Sequence, residues 1–240
     1  MNCFYSNEMV SGAVRLNDMD AQHAVKSLRL RDGDNIVLVY NGQRYAASLE
    51  LRGRDVYAHP TVPLPGTEPD TRVTLYQGLV KGDKMDDVIR MCTEVGVYAI
   101  MPCLFARSVS RPGADQMETR LTRWRTIARE AAMQSGRTII PEVGNLLTFS
   151  GMVTELEKHA QALVAWEEAT SMSLPDAYKG GKDIAVVIGP EGGIAPDEIT
   201  RMKAQPVSMG PRILRADTAG VAAVVSLLTV AGDMRYPGVT

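Results

Sequence analysis

Apolar residues follow two different rhythms along this chain. Over residues 1–68 they come as short runs separated by turn signals. Asn35–Tyr40 (NIVLVY) is a short apolar strand, and Asn41-Gly42 supplies a turn after it. Tyr45–Leu51 alternates into a second strand, and Asp55–His59 gives a third after Arg52-Gly53. Ahead of them, Asp20–Leu28 (DAQHAVKSL) opens on a capping residue type and reads as a short helix. Short strands this close together predict a small β-barrel. Pro60–Pro69 (PTVPLPGTEP) carries four Pro and one Gly in ten residues. Proline removes amide donors and stiffens the backbone, so this stretch is expected to be the linker.

From Arg72 onward, strands and helices alternate. Val73–Val80 reads as a strand. Met85, Val88, Ile89, Cys92 and Val95 recur at three-and-four spacing, which predicts a helix over Asp83–Val95 that Gly96 ends. Tyr98–Cys103 is the next strand. Gln116–Gln134 places Leu121, Trp124, Ile127, Ala128 and Ala131 on one helical stripe. Ala162–Trp166 and Ile184–Ile188 are short apolar strands of the fully buried kind. Asp197–Ala204, Pro206–Met209 and Asp217–Ala231 complete a helix–strand–helix series. The alternation predicts an α/β domain with a mostly parallel sheet over residues 71–240, behind a β-rich domain over residues 1–68.

Composition narrows this picture. Hydrophobic residues make up 45% of 240, enough for a sizeable core, while aromatics are only 5%, so that core leans on Val, Ile, Leu, Ala and Met. Cys3, Cys92 and Cys103 match no metal-ligand spacing. They are expected as reduced thiols of a cytoplasmic protein, with no metal. The opening stretch MNCFYSNEMV has neither a basic nor an apolar targeting region. The longest apolar candidate, Ala219–Ala231, is shorter than the roughly 20 residues of a membrane helix, so no membrane partner is expected. Net charge is −2, yet residues 107–137 carry seven Arg against three acids, and residues 147–240 carry eight basic and eleven acidic residues. A basic patch on a mildly acidic body fits either a surface that meets nucleic acid or an ordinary solvated helix.

Two constellations could carry chemistry. In IGPEGGIAPDEI (Ile188–Ile199) a buried strand runs into a glycine-rich turn, and Pro196-Asp197 then starts a helix. Gly189, Gly192 and Gly193 permit close approach of a ligand to the backbone. Spacing alone leaves two readings, a plain tight turn or a cofactor loop. The spacing is neither that of a dinucleotide fingerprint nor that of a Walker loop. In VSMGPRILRADTAGVAAVVSLL (Val207–Leu228) a strand ends at Met209-Gly210, and a loop with Ile213, Leu214 and Arg215 leads into a helix of small residues. Apolar Ile213 and Leu214 in a loop are expected to be buried or to line a pocket. Arg215 could hold an anion, polarise a base, or serve as a structural salt bridge or a helix-cap partner.

These segments resemble the RsmE family, the 16S ribosomal RNA uridine-N3 methyltransferases of the SPOUT class. The resemblance extends over HAVKSLRLRDGD (His23–Asp34), KGDKMDDVIRMCTEVGV (Lys81–Val97), ARSV (Ala106–Val109), AAMQSGRTIIPEV (Ala131–Val143), IGPEGG and GPRILRADTA (Gly210–Ala219). It implies a PUA-like β-barrel that helps grip RNA, followed by a SPOUT domain whose carboxyl-terminal end forms a trefoil knot. It implies a homodimer that uses S-adenosyl-L-methionine and acts on the small ribosomal subunit. Ile188, Gly189, Pro190, Gly192, Gly193, Met209, Gly210, Ile213, Leu214 and Thr218 would form the cofactor cradle, with Trp166 and Glu167 as a third wall. Three positions depart from the family pattern: Met91 stands for a usual Lys, Asp217 for a commoner Glu, and Ser27 for a bulkier apolar residue.

The chemistry to be served is exacting, because neutral uridine N3 carries a hydrogen and is a poor nucleophile. Arg215 is the expected catalytic cation for the uridinate oxygens, and Glu191 is either the proton acceptor or a loop cap. Expected RNA contacts are Arg29 and Arg31 on the barrel and Lys81, Lys84, Arg107, Arg125, Arg129 and Arg137 on the second domain. A ribose 2′-hydroxyl methyltransferase and a non-catalytic RNA-binding assembly factor are the competing readings.

Overall fold

The computed structural model describes residues 2–235. They form two compact units. One holds the chain up to Glu68 together with Ala132–Ile140; the other holds Pro69–Ala131 and everything from Pro141 on.

The first unit is built on six strands: β1 (Cys3–Tyr5), β2 (Glu8–Val10), β3 (Ala13–Arg15), β4 (Asn35–Tyr40), β5 (Gln43–Arg52) and β6 (Asp55–Leu64). They hydrogen-bond in the order β1-β4-β5-β6-β3-β2, with β1–β4 parallel and the other pairs antiparallel. Among the described residues this ladder is open at β1 and β2, a six-stranded sheet without a closed ring. The β4–β5 turn has Asn41 at φ 48° and Gly42 at φ 75°, the two positive values that suit a tight hairpin to twisted strands. Three-residue strands such as β1–β3 are too short to show a period, so they were not legible from patterning.

The proline-rich stretch starts as strand. β6 continues through Pro60 and Pro63, which pair with Ala47 and Tyr45 of β5, while β3 pairs only as far along β6 as Ala58. Proline is tolerated there because its missing amide faces no second neighbour. Helix α1 (Asp18–Gln22) begins ahead of the expected start. Asn17 is its cap and accepts from the Asp20 amide at 2.9 Å, and a π-helical turn follows at His23–Ser27. Phe4, Leu16, Ile36, Leu38, Leu49 and Val56 form the core, with Met133 packed against it. Arg137 is buried here, and its Nε donates to Glu68 Oε2 at 3.1 Å. Glu68 Oε1 also accepts from the amides of Thr138 (2.7 Å) and Ile139 (3.1 Å).

The second unit carries β7 (Arg72–Gly78), β8 (Ala99–Cys103), β9 (Glu142–Val143), β10 (Gln161–Ala165), β11 (Asp183–Ile188) and β12 (Gln205–Val207). All pairs are parallel, in the order β12-β10-β11-β7-β8-β9. Its helices are α2 (Lys84–Val95), α3 (Ala114–Ser135, whose last turn belongs to the first unit), α4 (Phe149–Leu156), α5 (Leu174–Ala177), α6 (Pro196–Arg201) and α7 (Ala216–Ala231). The sheet is apolar on both faces, as a central parallel sheet must be. Ile184, Val186 and Ile188 of β11 join the core formed with α2, α3, α5 and α7. Ala185 and Val187 join the opposite core, with Met152 and Leu156 of α4 and Ile199 of α6. No helix among the described residues is long and apolar enough to cross a membrane.

Candidate active site

Because all six strands of the second unit are parallel, their carboxyl ends share one edge. β7 and β11 are neighbours, yet the helices that follow them, α2 and α6, lie on opposite faces of the sheet. Such a reversal opens a crevice outside the strand ends. The glycine loop follows β11, and the 208–215 loop follows β12.

The glycine loop is packed to contact on several sides. A Cβ on Gly189 would lie 2.6 Å from Ile194 Cγ1, and one on Gly192 would lie 2.7 Å from the carbonyl oxygen of Arg107. Gly193 has φ +73°, and a side chain there would meet Glu167 Oε1 at 2.8 Å. The Gly193 amide donates to Pro190 O at 2.9 Å and closes the turn. Space therefore demands glycine at 189 and 192, and the positive φ favours it at 193.

Two carboxylates brace this loop. Glu191 Oε1 accepts from the Lys81 amide at 2.9 Å and lies 3.7 Å from Lys84 Nζ. It ties the glycine loop to the loop after β7, the capping alternative for this residue. Glu198 was not singled out from the sequence. It is 2% exposed, and its two oxygens accept from the amides of Ala106 (2.8 Å) and Ala195 (3.1 Å). A Glu three residues past a helix start is the available signal, since it can reach back to the cap amide. The bond to Ala106, 92 residues away, leaves no trace in the sequence.

In the second loop, Ser208 Oγ accepts from the Gly210 amide at 3.1 Å. Met209 and Leu214 pack partly against the core, but Ile213 is 89% exposed, so of its two expected fates burial does not hold. Among the described residues, no hydrogen bond ties down the amides of Arg212, Ile213 and Leu214. Arg215 stands at the cap position of α7, exposed, with no ion-pair partner among the described residues, and Thr218 is exposed in the first turn. Trp166 packs against the core beside α4, while Glu167 is exposed next to Gly193.

The expected RNA contacts divide. Arg29 and Arg31 are exposed in the first unit, and Arg29 holds a positive φ of 54°. In the second unit Lys81 and Arg107 are exposed, and Lys84 leans on Glu191. Arg125 is exposed but donates to Val143 O (3.2 Å) and Asn145 Oδ1 (3.0 Å), and Arg129 is half-buried. Arg137 departs from that expectation: it is 4% exposed and its guanidinium is engaged by Glu68, a structural pair. All three cysteines are buried free thiols, and burial pushes the Cys3 thiol up to about 11.

An RNA methyltransferase domain family matches residues 67–228. The ribosomal RNA small subunit methyltransferase E of Mycobacterium bovis is 34% identical, over 96% of this chain and 94% of its own. The structure of a ribosomal RNA small subunit methyltransferase E from Neisseria gonorrhoeae bound to S-adenosyl methionine superposes with a TM-score of 0.83 at 29% identity, over 95% of this chain and 97% of that one. A methyltransferase from Legionella pneumophila, solved with bound cofactor SAM, gives 0.85 at 27% identity, over 95% and 97%.

Proposed function

The chain belongs to the RNA methyltransferase family, among the ribosomal RNA small subunit methyltransferases E, and from that membership we propose that it methylates N3 of a uridine in 16S ribosomal RNA with S-adenosylmethionine, acting on the assembled small subunit. One observation carries the reading: the glycine loop and the 208–215 loop lie at the same sheet edge, and an exposed Arg215, without an ion-pair partner among the described residues, stands where the second loop enters α7.

The residues present fit the cofactor. A Cβ on Gly210 would meet nothing within 4 Å, so the loop turns open backbone outward, and the amides of Arg212–Leu214, without acceptors among the described residues, are donors suited to a base or ribose. When bound, S-adenosylmethionine supplies a methyl group already activated by its sulfonium. The chain would hold it between Ile188–Gly193 and Met209–Leu214. Arg215 would face the uracil oxygens, and its permanent charge would stabilise the uridinate left when N3 passes its proton to solvent water. Glu191 is assigned to holding the glycine loop, because its carboxylate is already engaged by Lys81 and Lys84.

The wider assignments rest on the same membership. We take the first unit as a PUA-like RNA-gripping domain and the second as a SPOUT domain with a carboxyl-terminal trefoil knot. The working state is a cytoplasmic homodimer, and the 89% exposed Ile213 suits a residue that a second copy covers. Incubation of isolated small subunits with labelled cofactor, then nucleoside analysis, tests the reaction. 3-Methyluridine is expected, and a 2′-O-methyl product would overturn the assignment. Calorimetry that finds no cofactor binding would favour an assembly factor. Arg215→Ala should keep cofactor affinity and lose roughly a hundredfold or more in transfer rate; full activity would remove its role.

A further inference from the structure

The last two residues of β7, Gln77 and Gly78, touch both loops of the candidate site. Gly78 packs directly against Pro190, and a Cβ there would lie 2.7 Å from the carbonyl carbon of Gly189. No side chain fits, so the glycine loop rests on bare backbone. Gln77 is 0% exposed, and its Nε2 donates to Gly78 O (3.2 Å) and to Ala216 O (3.4 Å). Ala216 is the first residue of α7 and follows Arg215 directly. Among the described residues the Gln77 Oε1 accepts no hydrogen bond, and it points at Gly220, where a Cβ would lie 2.5 Å away.

A buried amide is costly unless it does something an apolar side chain cannot. Leucine at position 77 would fill a similar volume, but it could not tether the Ala216 carbonyl. Gly220 also sits inside α7, where alanine is ordinarily the better helix residue. Its missing Cβ is what lets the Gln77 head lie flat against the helix.

We propose that Gln77 is a positioning residue for the methyl-transfer site: through Ala216 O it sets the 209–215 loop and Arg215 against the glycine loop seated on Gly78. The inference rests on the reading that these two loops hold the cofactor. The side chain touches neither cofactor nor RNA, and it acts through the loop it anchors.

The test uses the full chain and three variants, Gln77→Met, Gln77→Glu and Gly220→Ala, with S-adenosylmethionine binding measured by calorimetry. Gln77→Met keeps the volume and removes the donor, and affinity should fall roughly tenfold. Gln77→Glu should bind weakly at pH 8, where a carboxylate opposes the Ala216 carbonyl. It should regain affinity toward pH 6 as the buried acid takes up a proton and donates, while the wild type stays flat. Amide exchange supplies a cofactor-independent reading: residues 209–219 should exchange faster in Gln77→Met, and those of β10 should not. Should the glutamate variant fail to fold, Gly220→Ala strains the same contact from the helix side and should weaken binding likewise. Wild-type affinity in Gln77→Met, with only a lowered melting temperature or uniformly faster exchange, would reduce Gln77 to core packing and overturn the proposal. If the wild type itself binds no cofactor, the functional reading falls, and exchange confined to 209–219 still shows that Gln77 holds the loop.

Discussion

Glu50 shows how much a single half-buried side chain can owe to its strand neighbours. Its Oε1 accepts from Arg52 Nε at 2.6 Å, and its Oε2 lies 2.6 Å from His59 Nε2. The Arg52 bond first, then the His59 bond, lowers its pKa from 4.5 to about 2. A carboxyl whose folded pKa is depressed contributes stability above its unfolded pKa and loses it as pH falls through the folded value. The contribution is therefore present above 4.5 and fades between 4.5 and 2. Urea midpoints recorded across that window should drop more steeply for the wild type than for Glu50→Gln. Parallel curves would mean that solvent screens the pair completely. Only the Arg52 contact is local, two residues along β5; the His59 contact left no trace in ELRGRDVYAH, because it forms only when β5 and β6 pair with Glu50 beside Tyr57. Arg137 teaches the same lesson in reverse. In sequence it is one of seven arginines in a basic run, and only its burial against Glu68 separates it from the others.

At the scale of elements, the long periodic segments were the readable ones. α2, α3 and α7 lie within two residues of the expected spans, and Gly96 caps α2 at φ 108°. β4, β7 and β11 are likewise legible because an unbroken apolar run has few other uses. The missed elements are short: β1–β3, the two-residue β9, α4 and the one-turn α5. Too few residues lie in each for a period to stand out, and tertiary contacts stabilise them instead. α6 illustrates the difference. Its start was announced by Pro196, but its anchoring by Glu198 to the Ala106 loop was not. Glu198→Ala should destabilise the protein by about 2 kcal/mol, because two amides lose their acceptor in a buried site. Glu198→Gln should recover roughly half, since one amide oxygen remains. Urea unfolding measures both, and a loss below about 0.5 kcal/mol in the alanine variant would show that the loops relax onto other partners.

For the molecule as a whole, net charge is −2, so RNA affinity must come from local arginines and not from a global field. Affinity should fall linearly in log salt. Arg107→Ala and Arg29→Ala should each reduce the slope by about 0.7–0.9, whereas Arg137→Met should leave it unchanged in whatever fraction folds. Fluorescence anisotropy with small-subunit RNA reads this directly, and unchanged slopes in the first two variants would remove those residues from the contact set. The sequence by itself determined the kinds of element, the change from short strands to alternating strands and helices, and the two strand-ending loops proposed to hold the cofactor. Those are properties of neighbours within a few positions, and periodicity records them. Tertiary structure alone decided the strand order, the switch between β7 and β11, and the fate of each polar side chain. Glu68 meets Arg137 across 69 positions, Gln77 meets Ala216 across 139, and Glu191 meets Lys81 across 110. Such pairs have no local signature, because they form only after the backbone has brought distant loops to the same place.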